Sequence, residues 1–137
     1  AGTQNINSIP TLKPAIEVAK LMNDKELLDN QHAVSEYLLH ALTSNPRVHL
    51  YGVPRGTEAK IPLFSFSVDG AHHEDLALIL DKMGIAVRSG QMCAEPIMDR
   101  FGVTGMLRAS FAPYNTVDEA KYLVSSLDKA IKMLDRK

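Results

Sequence analysis

The sequence predicts an α+β domain, a small and mostly antiparallel sheet with helices packed on one face. Three observations predict it. Leu63–Val68 alternates apolar and polar residues, the mark of a strand with one buried face. His73–Met83 and the stretch after Thr116 instead repeat their apolar residues at helical spacing. Each predicted strand keeps one polar face, which an antiparallel sheet tolerates and a sheet covered on both sides does not.

The totals narrow the class. The 137 residues fit one domain with room for a hydrophobic core. An apolar share of 45% with 23% charged residues is ordinary for a globular chain. A net charge of -1 offers no basic footprint for nucleic acid. No apolar run approaches the roughly 18 residues of a membrane span. One cysteine cannot close an internal disulfide, so no oxidising compartment is implied and a cytoplasmic protein is expected. The N-terminus lacks the basic and apolar regions of a signal peptide, and it has no initiator methionine, which suggests a processed or excised piece.

In chain order, residues 1–10 read as a lead-in loop. Thr11 can cap a helix carrying Leu12, Ile16, Val18 and Ala19, with Pro14 in its first turn. Asn23 and Glu26 resemble a capping pair for a longer helix, whose Leu27, Val34, Leu38 and Ala41 make one apolar stripe. Asn45-Pro46 ends it. Val48–Tyr51 is a predicted strand, and Gly52–Glu58 a turn or loop. In Leu63–Val68, the residues Phe64, Phe66 and Val68 face one side while Ser65 and Ser67 face the other, before an Asp69-Gly70 turn.

A helix over His73–Met83 follows, with Gly84 where a terminating glycine belongs. Ile85–Val87 reads as a short strand, Pro96–Phe101 as a short helix, and Met106–Ala112 as another strand. Thr116 and Glu119 form a capping box. The last helix then buries Ala120, Leu123, Val124, Leu127, Ala130, Ile131 and Leu134.

Among residues able to do chemistry, Cys93 stands out. It lies in a polar loop between Gly90, which lets the backbone bend, and Pro96, which fixes where the loop stops. Arg88 ahead of it favours the thiolate, the reactive form of the side chain. The bland reading is a small buried hydrophobe with no chemistry. Arg108 shares the polar face of its strand with Ser110, and is either a solvated surface charge or a fork that holds a carboxylate. Arg88 could play the same part or give only electrostatic support.

His72, His73, Glu74 and Asp75 adjoin a helix start, where neighbours point apart, so acidic residues favoured by the helix N-terminus explain them better than a metal. His32, His40 and His49 read as structural. No phosphate-binding glycine loop and no Ser-His-Asp set stands out, and Cys93 has no histidine base nearby in sequence.

The run from Gly84 to Pro96 (Gly-Ile-Ala-Val-Arg-Ser-Gly-Gln-Met-Cys-Ala-Glu-Pro) closely resembles the cysteine loop of SUF-type cysteine desulfurases and the related selenocysteine lyases. The likeness continues through Met98–Val103, Arg108-Ala109-Ser110-Phe111 and Tyr114-Asn115-Thr116, and the first residues resemble the family's Ala-Gly-Thr-Pro-Asn segment. This resemblance implies the small domain of a fold-type I pyridoxal 5'-phosphate enzyme in the class-V aminotransferase group. Residues 1–22 would be the lead-in loop and connecting helix, and residues 23–137 the C-terminal small domain. By position Cys93 matches the cysteine that takes the sulfur of L-cysteine and carries it as a persulfide, leaving L-alanine, with L-selenocysteine the substrate of the related lyases. Arg108 matches the arginine that holds the substrate α-carboxylate, and Arg88 an arginine at the edge of the active site. Gly2 and Thr3 match a loop that reaches the cofactor phosphate of the partner subunit in a homodimer.

The resemblance also implies delivery to a sulfur-acceptor protein, for iron–sulfur clusters or other uses. Gln91 and Met92 stand where many relatives have histidine, and Gln4 replaces a proline. The family holds its cofactor through a lysine that follows a histidine, and no His-Lys pair occurs in these 137 residues. The chain alone is therefore expected to be inactive. The rival expectation is a free-standing persulfide carrier or interaction module without the cofactor.

Overall fold

Helix ends and strand alternation account for most of the architecture. The computed structural model describes residues 5–52 and 61–135. A 3-10 turn, Ile9–Thr11, runs directly into α1 (Leu12–Leu21). Thr11 does not cap α1 as the sequence predicts. Its hydroxyl donates to the Ser8 carbonyl at 2.6 Å, because the 3-10 turn already holds Thr11 in helical geometry. Helix α1 buries none of its side chains.

Helix α2 (Lys25–Ser44) is capped by Asp24 rather than the predicted Asn23. Asp24 has the extended backbone of an N-cap, and its carboxylate accepts the Glu26 amide at 2.9 Å. The buried stripe is Val34, Ser35, Leu38 and Leu42, with the predicted Leu27 and Ala41 only half-buried at its flanks. Of the predicted loop over Gly52–Glu58 only Gly52 is described, with φ at +66°; the remainder lies outside the described residues.

The sheet has four strands in the order β1-β2-β4-β3, all antiparallel: β1 (Val48–Tyr51), β2 (Leu63–Val68), β3 (Arg88–Gly90) and β4 (Met106–Ser110). The alternation in β2 holds, with Phe64 and Phe66 fully buried and Val68 nearly so. Burying two phenylalanines contributes about 1.5–3 kcal/mol each to the core.

The third strand is Arg88–Gly90, three residues later than the predicted Ile85–Val87. The reason is the end of α3 (His73–Lys82). Gly84, with φ at +77°, and Ile85 donate their amides back to Asp81 and Leu80 at 2.9 and 3.0 Å, so this stretch closes the helix before it can pair. At the other side β4 stops at Ser110 instead of Ala112, whose amide turns away to the Asn115 side chain at 2.7 Å.

Helices α2, α3 and α5 (Val117–Leu134) pack against the face carrying Phe64, Phe66, Leu107 and Ala109. Helix α5 starts at the predicted capping box. Thr116 Oγ1 accepts the Glu119 amide at 3.2 Å, and the Glu119 carboxylate accepts the Thr116 amide at 2.7 Å. It buries Ala120, Leu123, Leu127, Ala130 and Ile131 as predicted. Val124 and Leu134 are only partly buried, and Ser126 is buried between them. The short α4 (Glu95–Phe101, one residue longer than predicted) is the exception, because it lies against the opposite face of the sheet.

Candidate active site

The open face of the sheet carries one continuous row. Tyr51 pairs with Ser65, Ser65 with Arg108, and Arg108 with Arg88, one residue from each of the four strands. Residues directly opposite in an antiparallel ladder project to the same side, so the row is a line of side chains and not merely of backbones. Above it, Ile97, Met98 and Phe101 of α4 close a cavity of about 370 Å³ whose floor includes Leu63, Ser65, Met106 and Arg108. The Tyr51 and Phe101 rings, both lining the cavity, meet at 4.8 Å between centroids. The Tyr51 and Ser67 hydroxyls share a hydrogen bond at 2.9 Å.

Arg108 is half-buried, and its Nε–H is fully buried with no hydrogen-bond partner. An unmade hydrogen bond at a buried donor costs about 1–3 kcal/mol. No described acidic side chain pairs with Arg108 or with the exposed Arg88. Two guanidinium groups rooted opposite each other without a counter-charge favour an anion on this face.

The cysteine turn forms the rim. The Ala94 amide donates to the Gln91 carbonyl at 3.0 Å, closing a four-residue turn whose two central residues, Met92 and Cys93, have φ of 56° and 58°. Consecutive left-handed residues are the mark of a type I′ turn, usually built from Asn and Gly. For residues with a Cβ the left-handed conformation costs roughly 1–2 kcal/mol each. Met92 and Ala94 line the cavity, while Cys93 is exposed. The thiol is therefore not buried, as the bland reading has it.

The structure thus gathers Arg108 and the cysteine turn around one cavity, while Arg88 stands opposite Arg108 in the ladder and does not line that cavity. Gly2 and Thr3 lie outside the described residues. Ser65, Tyr51 and Phe101 were not singled out by sequence. Alternation does place Ser65 on the polar face, but only the β2–β4 register sets it beside Arg108.

The histidine pair serves the frame. His72 caps α3, its Nδ1 accepting the Glu74 amide at 3.4 Å. The His73 ring lies against Gly105, just ahead of β4, and its Nδ1 is buried without a partner. Burial holds the His73 pKa below the usual 6.5. Its neighbour His72 adds to that shift, and Glu74 opposes it. On the outer edge of the sheet His49 pairs with Asp69 at 2.8 Å. Among the described residues no helix is long and apolar enough to cross a membrane.

Comparison with known proteins bears on this arrangement. A probable cysteine desulfurase of Vibrio cholerae is 34% identical over 134 residues, 98% of this chain and 32% of that protein. The crystal structure of the Escherichia coli cysteine desulfurase CsdA, in an S-sulfonic acid form, superposes with a TM-score of 0.81 at 32% identity, covering 97% of this chain and 32% of that one. The apo cysteine desulfurase of Thermococcus onnurineus gives a TM-score of 0.85 at 32% identity over 96% of this chain and 32% of its own. The chain thus spans about a third of the length of the relatives it matches. The profile of the aminotransferase class-V family matches residues 1–123, so the chain belongs to the aminotransferase class-V family.

Proposed function

We propose that this chain is the sulfur-accepting and substrate-holding part of a pyridoxal-phosphate-dependent cysteine desulfurase. One observation carries the reading: Arg108, whose buried Nε–H has no partner, lines a cavity whose rim is the turn bearing Cys93. The match to cysteine desulfurases over nearly the whole chain supports it.

Arg108 holds the α-carboxylate of L-cysteine through its guanidinium fork, with Arg88 adding positive charge at the edge. The described residues fit the substrate side of such a site, since they offer a carboxylate fork and an accessible thiol. Gly2 and Thr3 would reach the cofactor phosphate across a homodimer. Pyridoxal phosphate, when bound, supplies the electron sink that makes the carbon–sulfur bond labile.

The Cys93 sulfur bonds to the substrate sulfur as that carbon–sulfur bond breaks. The electron pair goes to the carbon, which takes a proton and leaves as L-alanine, and Cys93 keeps a persulfide. The exposed position of Cys93 suits the following transfer to an acceptor protein, for iron–sulfur clusters or other uses. That transfer takes place in the cytoplasm, where a lone thiol stays reduced. L-selenocysteine is the alternative substrate at the same fork. Residues 23–137 form the small domain, and residues 1–22 connect it.

The test joins the chain in one polypeptide to the remaining two-thirds that its relatives carry. Cysteine-dependent alanine formation is expected, with a persulfide on Cys93 by mass spectrometry. Cys93→Ser should abolish the persulfide, and Arg108→Gln should raise KM for cysteine by about a hundredfold. Normal sulfur transfer by Cys93→Ser would sink the assignment.

A further inference from the structure

Ser65 stands directly opposite Arg108 in the β2–β4 ladder, so their Cβ atoms rise from the same face roughly 5 Å apart. Both line the cavity under α4. The Ser65 hydroxyl makes no hydrogen bond to any described residue. Ser67, on the same face two residues along, differs because its hydroxyl is engaged by Tyr51 at 2.9 Å. Ser65 could accept a hydrogen bond from Arg108, yet the Arg108 Nε–H stays unpartnered. Two neighbouring polar side chains that line the same cavity, one of them a donor only, thus have no partner for these groups among the described residues. Packing gives no reason for serine here, since a strand position beside Leu63 and Met106 favours a branched or aromatic side chain.

We propose that Ser65 is a second contact to the carboxylate held by Arg108, its hydroxyl donating to one carboxylate oxygen while the guanidinium donates to the other. This rests on the reading of Arg108 given above and names a further binding residue for that site. A carboxylate has two oxygens and lone pairs enough for both donors. With the fork alone a small acid can slide along the guanidinium edge. A short hydroxyl from the next strand fixes its lateral position and its rotation about the bond to the carboxyl carbon. The apolar side chains of Leu63, Met98, Met106 and Phe101 line the same cavity.

The test titrates propionate, a carboxylate without amine or thiol, into the 15N-labelled chain and follows the Arg108 Nε–H resonance and the Leu107 and Arg108 amides. A saturable shift is expected in the wild type, and none with methyl propionate. Ser65→Ala should weaken propionate binding about tenfold, while Ser65→Thr, which keeps the hydroxyl, should stay within about twofold. Ser65→Cys, near in size and a poor donor, serves if the alanine variant loses its dispersed spectrum. Wild-type affinity in a folded Ser65→Ala or Ser65→Cys chain would overturn the role of Ser65 and leave that of Arg108 standing. A folded wild type that does not respond to propionate would overturn the carboxylate reading of Arg108 itself, and with it that of Ser65.

Discussion

Arg88 faces Arg108 across the β3–β4 ladder, and neither guanidinium has an acidic partner among the described residues. Facing like charges weaken a sheet and are retained only where something else benefits from them. The cavity beside Arg108 and the thiol turn at its rim accord with the anion capture proposed above.

Removing the charge that does not line the cavity should relieve the sheet. Arg88→Gln is expected to raise stability by about 0.5 kcal/mol at low salt, with the gain shrinking at high salt. Urea unfolding at two ionic strengths measures it. A loss of stability that is independent of salt would show that Arg88 makes a supporting contact instead.

The cysteine turn stores backbone strain that a substitution can expose. Cys93 is exposed, so its side chain adds little packing, and Cys93→Gly should be about 1 kcal/mol more stable than Cys93→Ala. Thermal unfolding of the two variants reads the difference. At a position with negative φ the order is reversed, because glycine has more conformational entropy to lose.

Gly105 admits no side chain. A Cβ there would lie 2.9 Å from both Cδ2 and Cε1 of the His73 ring, and closer still to Nε2. Gly105→Ala should destabilise the chain by about 1–3 kcal/mol. His73→Ala in the same background should restore part of the loss, so a double-mutant cycle with no coupling would contradict the contact.

His73 also predicts a pH dependence. Burial lowers its folded pKa below the 6.5 of the unfolded chain. Between those two values the unfolded state binds the proton and the folded state does not, so stability rises with pH there. The contribution is complete above pH 6.5 and is lost as the pH falls toward the lowered value. His73→Phe keeps a ring near Gly105 without a proton to bind, and should flatten this part of a stability-against-pH curve. A wild-type curve already flat below 6.5 would rule the effect out.

Much of this protein is written in local pattern. The alternation of β2, the Thr116–Glu119 capping box, the apolar stripe of α5 and the C′ glycine Gly84 each need only a few neighbouring residues. Those residues suffice to set their backbone and their buried side. The motif around Cys93 and the polar side of Arg108 are legible for the same reason, and so is the resemblance to the desulfurases that they carry. Tertiary structure decided the rest. Which residues of β1, β2 and β3 stand beside Arg108 depends on the register of distant strands, so the row from Tyr51 through Ser65 to Arg88 has no local signature. The outward turn of Cys93 is likewise not a local preference, since methionine and cysteine both disfavour positive φ. Closure of the chain between β3 and α4 imposes it. The His73–Gly105 contact exists only because α3 and the approach to β4 meet there. Local sequence set most of the elements and the chemical groups, while packing between elements moved the start of β3 to Arg88 and determined which groups share a site.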